Sequence, residues 1–196
     1  MSAGWSAWWA AARSCSDMPA YVVFLRAVNV GKRVLRMEYA RQVLEDNAFV
    51  DVASHIQSGN LLVSTRMRSP SRVEAAVGEC LGEAAGFEIV AMARRPAELT
   101  SLVEAADGIP QTGAGELARY VAFCQGAVAA EAQSRLESWE TPGERAFVVG
   151  RNVLVEFAKP FHEAKLGNAQ IEKIVDGPAT TRNLTVVRTL AQKWGS

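Results

Sequence analysis

Three short polar runs stand where strands should give way to turns, and their side chains are of the kinds that hold anions. Strand-like Tyr21-Val22-Val23-Phe24-Leu25 leads straight into Arg26-Ala27-Val28-Asn29-Val30-Gly31-Lys32. His55-Ile56-Gln57-Ser58-Gly59-Asn60 puts amides and a hydroxyl on a predicted hairpin turn between Val52 and Val63. Thr180-Thr181-Arg182-Asn183 opens a last predicted helical stretch. Arginine and lysine supply charge, amides and hydroxyls supply directional hydrogen bonds, and a helix N-terminus adds free N–H groups and a favourable dipole. The candidate ligand-binding set is therefore Arg26, Asn29, Gly31, Gln57, Ser58, Asn60, Arg182 and Asn183, with Lys165 as a further cation. Each also has a plainer use. Arg26 can pair with a carboxylate across a sheet, Asn29 and Gly31 can serve a left-handed turn, Ser58-Gly59-Asn60 can simply turn a hairpin, and Thr181-Arg182-Asn183 can cap a helix.

Other chemistries lack their residues. There is no phosphate loop of the Walker type, and Gly113-Ala114-Gly115 alone does not make a dinucleotide site. There is no Gly-x-Ser-x-Gly elbow. The two histidines, His55 and His162, lie far apart in the chain, and neither sits at metal-ligand spacing from a cysteine or carboxylate pair, so neither a metal nor a cofactor is expected. Cys15, Cys80 and Cys124 are odd in number and share no ligand spacing, which reads as free thiols in a reducing, cytoplasmic compartment. No run approaches the roughly 20 apolar residues a membrane span needs.

Positioning such residues requires a core, and 196 residues with 49% hydrophobic and 21% charged content can build one. Formal net charge is zero but unevenly spread. Residues 70–145 carry six Arg against twelve Asp or Glu (−6), and the rest carries fifteen Lys or Arg against nine acids (+6). All three polar runs fall in the positive portion, a pointer to an anionic guest.

From Tyr21 the periodicity alternates. Tyr21–Arg26 is a buried strand, and Met37, Ala40, Leu44 and Ala48 mark a helix over Arg36–Asn47, with Asn47 as a left-handed C-cap. Val52–Gln57 and Leu61–Ser64 form a hairpin. Ser69-Pro70 opens a helix that ends before Gly86, with Ser71 and Glu74 spaced as a capping box, and Phe87–Ala93 is a strand. This order is β-α-β-β-α-β, the ferredoxin-like arrangement. A helix over Pro96–Ala106 and a loop over Asp107–Gly115 precede a second round. That round has strand Arg119–Cys124, helix Val128–Trp139, strands Arg145–Val149 and Asn152–Phe157, helix His162–Val175 and helix Leu184–Lys193, without an obvious final strand. The expected fold class is α+β, two ferredoxin-like halves in tandem over residues 19–106 and 116–193, with the C-terminal helix packing back. Residues 1–18, where Trp5, Trp8 and Trp9 sit among Ala and Ser, read as a disordered extension.

Leu25-Arg26-Ala27-Val28-Asn29-Val30-Gly31, Ile56-Gln57-Ser58-Gly59-Asn60, Lys165-Leu166 and Thr181-Arg182-Asn183, in that order, resemble the largely bacterial family called domain of unknown function 1697. The resemblance implies two ferredoxin-like halves and no established activity. The chain departs from the family pattern at Ala27 and Lys32, where glycine is usual. It departs again at Phe161-His162-Glu163-Ala164, which replaces a Gly- and Ser-containing approach to Lys165.

The expected function is binding of an anionic, phosphorylated ligand such as a nucleotide or RNA. The rival is a small-molecule enzyme with its site in the cleft between the halves, using Arg26 or Arg182 to clamp, amides to orient and Lys165 as acid–base or electrostatic residue. A third reading is a structural or interaction protein.

Overall fold

The computed structural model describes residues 18–26, 28, 31, 34–110 and 117–195. The N-terminal extension up to residue 17 lies outside them, as does Asn29.

The first strand, β1 (Ala20–Arg26), is apolar on both of its faces because both are covered. Side chains alternate across a strand. Tyr21, Val23 and Leu25 turn to one cluster with helices α1 (Met37–Asp46) and α2 (Pro70–Ala85). Val22 and Phe24 turn the other way. Around β1 run β2 (Val50–His55), β3 (Asn60–Ser64) and β4 (Val90–Arg94), in the order β2-β3-β1-β4 with all pairs antiparallel. Helix α3 (Pro96–Gly108) follows.

The second round repeats this plan. Strands β5 (Ala118–Cys124), β6 (Glu144–Val149), β7 (Asn152–Phe157) and β8 (Ala179–Asn183) form an antiparallel sheet in the order β6-β7-β5-β8. Helices α4 (Ala130–Glu137) and α5 (Asn168–Val175) cover one face. Helix α6 (Leu184–Trp194) ends the chain and packs on α3, with Leu184, Val187, Leu190 and Trp194 against Leu99, Leu102 and Ala106.

The inner faces of the two sheets meet directly. Phe24 and Phe123, both fully buried, stack with ring centroids 3.7 Å apart. The registers coincide. Phe24 pairs with Asn60 and Val22 with Arg94 in one sheet, and Phe123 pairs with Asn152 and Val121 with Arg182 in the other. The sequence carries the same repeat, Tyr21-Val22-Val23-Phe24 against Tyr120-Val121-Ala122-Phe123 and Asn60-Leu61-Leu62-Val63 against Asn152-Val153-Leu154-Val155.

Several local expectations change. The second unit has its final strand, because Thr180-Thr181-Arg182-Asn183 pairs antiparallel with β5 before Asn183 caps the helix that follows, and β-branched threonines suit that place. The expected helix over His162–Val175 is a short 3₁₀ turn at Phe161–Glu163 followed by α5 from Asn168. The link between them is held in another way: the buried Glu144 carboxylate accepts the Lys165 and Leu166 N–H groups at 2.8 and 2.9 Å. Glu74 is no capping residue. It is buried and accepts the Ala93 N–H at 2.8 Å, tying α2 to β4. Asn47 is not left-handed (φ −108°); that conformation falls on Ala48, and the Asn47 side chain donates to Val43 O.

Candidate functional site

The matched registers put two arginines and two asparagines on the junction faces of the sheets, where each arginine crosses to the other unit. Arg94, from β4, donates through Nε to Asn152 Oδ1 at 2.9 Å and through Nη2 to Cys124 O at 2.7 Å and Arg151 O at 2.9 Å. Its Nη1 donates to Ala93 O at 2.9 Å. Arg182, from β8, mirrors this pattern. Its Nε donates to Asn60 Oδ1 at 2.7 Å, and its Nη2 donates to Leu25 O and Ser58 O, both at 2.8 Å. Its Nη1 donates to Thr181 O at 2.9 Å and Thr180 Oγ1 at 2.8 Å. Each guanidinium also lies over the partner unit's phenylalanine, Arg94 over Phe123 at 5.7 Å and Arg182 over Phe24 at 5.8 Å. The junction is thus a reciprocal pair of arginine clasps around a stacked aromatic pair. Burial pushes both arginines down to about 10, and for Arg94 the neighbouring Arg151 adds to the fall. Both remain cationic at neutral pH.

The clasps differ in their counter-charge. Arg94 has the Glu74 carboxylate 3.8 Å from Nη1. Arg151 then donates to Gln125 O and Ala93 O and comes within 3.4 Å of the same carboxylate. Arg182 has no carboxylate within ion-pair distance among the described residues, and its five N–H groups are taken by carbonyl, amide and hydroxyl oxygens.

Beside Arg182 lies a cavity of about 450 Å³. Arg26, Gln57, Ser58, Phe161 and Asn168 line it with Arg182, together with Leu25, Val28 and the two threonines of β8. Arg26 ends β1 and is partly exposed, and it grips Glu172 of α5 side-on, Nε to Oε1 at 2.5 Å and Nη2 to Oε2 at 3.0 Å. Burial alone would raise the Glu172 carboxyl, but the Arg26 hydrogen bond, with the Ala179 N–H, holds it below its ordinary value. Hydrogen bonding to Glu172 raises Arg26 correspondingly. Phe161 packs on Tyr120 and Phe157, at centroid distances of 4.5 and 5.7 Å, and presents an aromatic wall.

The sequence candidates therefore divide. Arg26, Gln57, Ser58 and Arg182 line one cavity. Asn60 sits behind it, fully buried, accepting from Arg182 and donating to Ser58 Oγ at 2.8 Å and His55 O. Gly31 is exposed in a left-handed conformation (φ +65°). Asn183 is the N-cap of α6, its Oδ1 accepting the Thr185 N–H at 2.8 Å. Lys165 is exposed and outside the lining; the Lys165-Leu166 motif acts through its main-chain N–H groups on Glu144. Sequence reasoning missed Arg94, Asn152, Glu74 and Glu172. The internal repeat was the available signal for the first two, since aligning Asn60 with Asn152 and Phe24 with Phe123 points to a second clasp. A larger groove of about 650 Å³ lies between α2 and β4, but Glu79, Glu83 and Glu88 on its lining disfavour an anion there. Among the described residues no group of three or more His, Cys, Asp or Glu is arranged to hold a metal, and no helix is long and apolar enough to cross a membrane.

Fold and site together define a mixed α+β protein with two four-stranded antiparallel sheets and, at their junction, a cavity lined by apolar side chains and two arginines. The chain belongs to the family described as Protein of unknown function (DUF1697), whose model matches residues 18–154. Among solved structures it is similar to the conserved bacterial protein SP0830 from Streptococcus pneumoniae, with a TM-score of 0.65 at 19% identity, covering 91% of this chain and 99% of that one. At that identity the likeness speaks for the fold. No curated protein matches the sequence.

Proposed function

We propose that this protein binds a small anionic ligand, a nucleotide being one example, in the cavity between β1, the β2–β3 turn, α5 and β8. One observation carries the reading: the cavity is walled by a half-buried guanidinium, Arg182, that lacks a carboxylate partner among the described residues, with a second arginine, Arg26, on its rim. Low-dielectric surroundings extend the field of such a charge, and Arg26 adds a second cation beside it, offset in part by Glu172. The size suits a ligand of a few tens of atoms, and Phe161 offers a face to a ring. The strand order of both sheets supports reading the chain as two ferredoxin-like halves, over 19–106 and 116–193. The buried free thiol of Cys124 supports a reducing, cytoplasmic setting.

RNA recognition of the kind that stacks bases on an open sheet does not suit this molecule. Phe24 and Phe123, the residues in the stacking positions, are spent on each other. The enzymatic reading relied on Lys165, which lies outside the cavity lining.

Calorimetric titration with inorganic phosphate, nucleoside mono- and diphosphates and short RNAs tests the proposal. Salt-sensitive binding of the small anions is expected, with Arg26→Ala weakening it at least tenfold. Arg26 is partly exposed and its ion pair is worth only about 0–1 kcal/mol, so this variant should fold and melt near the wild type. Absence of binding across the panel would refute the proposal.

A further inference from the structure

We infer that Glu172 occupies the anion position of this cavity as an internal competitor, so that the cavity selects dianionic phosphate groups over carboxylates. The inference rests on the binding reading above and concerns the chemistry that reading leaves open. Among the described residues Arg26 is the cavity's accessible cation, whereas Arg182 has no N–H group left to offer. The Nε and Nη2 edge of Arg26, the edge that would grip an incoming anion bidentately, is already closed on both oxygens of Glu172. A guest can use that edge only by taking the place of a carboxylate.

Exchange then decides selectivity. A carboxylate guest replaces one carboxylate with another on Arg26, and brings its charge next to a displaced Glu172 that remains close by. Its electrostatic gain is small. A phosphate monoester carries close to two charges at neutral pH and three acceptor oxygens. It can hold Arg26 with two oxygens, and its second charge interacts with the field of half-buried Arg182, which has no carboxylate within ion-pair distance among the described residues. Glu172 has somewhere to remain, because its Oε1 also accepts the Ala179 N–H at 2.9 Å and so keeps α5 on β8. The ion pair can open without loosening the helix.

Glu172→Gln separates the competitor from the scaffold, since the amide oxygen can still accept from Ala179 while the negative charge is gone. The probes are phenyl phosphate and benzoate, which share a ring and differ in charge, titrated into the full chain at constant ionic strength near pH 7.5. Wild type should bind phenyl phosphate at least tenfold more tightly than benzoate. Glu172→Gln should tighten both, by about tenfold, as expected for removing one like charge a few ångströms from the guest at a partly buried site. Equal wild-type affinity for the two probes, or a Glu172→Gln variant that binds phenyl phosphate no better than wild type while Arg26→Ala abolishes binding, would overturn the competitor and leave the anion site standing. If neither probe binds wild type or either variant, the binding reading itself falls, and the competitor with it. Should Glu172→Gln fail to fold, the wild-type ratio of the two probes decides alone.

Discussion

Arg94 allows a quantitative test of the junction. Replacing it with methionine keeps most of the volume and removes the guanidinium. Of its four acceptors, Ala93 O keeps a donor in Arg151 Nη2, and Arg151 O keeps one in the Cys124 N–H. The loss falls on Asn152 Oδ1 and Cys124 O, which Arg94 reaches at 2.9 and 2.7 Å in a fully buried setting. Leaving a buried acceptor unpaired costs about 1–3 kcal/mol, which gives roughly 2–6 kcal/mol for the two. Methionine also escapes the desolvation that burial imposes on the cation, and Glu74 retains Arg151, so the net loss should be about 3–4 kcal/mol. For a chain of this size that is a fall in melting temperature on the order of 10 °C. Arg94→Lys separates charge from geometry. An ammonium has no Nε–Nη fork to span Asn152 and the two carbonyls, so it should lose nearly as much as methionine. Urea titration of the three proteins at pH 7 reads these differences directly. A loss below about 1 kcal/mol for Arg94→Met would mean the clasp is merely tolerated, as some buried charges are when an apolar residue fills the space equally well. A lysine that restores full stability would mean that charge alone is what the site requires.

Two further predictions concern the scaffold. Burial would raise Glu144, but the hydrogen bonds from Lys165 N–H, Lys159 Nζ, Leu166 N–H and Trp139 Nε1 hold its carboxyl below the ordinary 4.5. A depressed carboxyl contributes stability that is present above 4.5 and lost as pH falls through the folded-state value. The gap in urea midpoint between wild type and Glu144→Gln should therefore narrow as pH drops from 7 towards 3, and a constant gap would contradict this account. Gly78→Ala should destabilise by about 1–3 kcal/mol in a thermal melt although alanine favours helices, because its Cβ would lie 2.7 Å from Ile89 O; a gain in stability would show that α2 can shift off β4.

Much of the architecture was legible because β1 and β5 are covered on both faces, so Tyr21–Leu25 and Tyr120–Cys124 are apolar throughout. Helices α1 and α2 could be read from the spacing of Met37, Ala40 and Leu44 and of Val73, Val77 and Leu81. Strand β8 could not, because Thr-Thr-Arg-Asn has no apolar alternation and its register is set by β5. The cavity was legible in part for a related reason. Arg26, Gln57 and Ser58 follow or join strands, and strand ends and turns are where polar side chains gather. What Arg182 does there depends on Asn60, 122 positions away, and on main-chain carbonyls that no side-chain pattern reports. Lys165 misled in the opposite direction, since its place in the motif reflects an N–H group and any residue but proline has one.

The two clasps give the cavity its meaning. An internal repeat that places an arginine, an asparagine and a phenylalanine in matching registers produces two matching cations at the junction, Arg94 fully buried and Arg182 half-buried, and each must be reconciled with its burial. Carbonyl dipoles serve both, but only partly offset a full charge. At Arg94 the remainder is met by Glu74, and Arg151 takes the neighbouring carbonyls. At Arg182 the position matching Arg151 is Gly59, a left-handed turn residue (φ +76°) packed so closely on Leu25 and Val28 that it brings no second guanidinium to the clasp. Glu172 is bound to Arg26 on the cavity's rim instead. A scaffold that sets a carboxylate against the guanidinium of one clasp, and leaves that of the other without one among the described residues and beside a cavity with an aromatic wall, has the asymmetry that the proposed binding at the second junction site calls for.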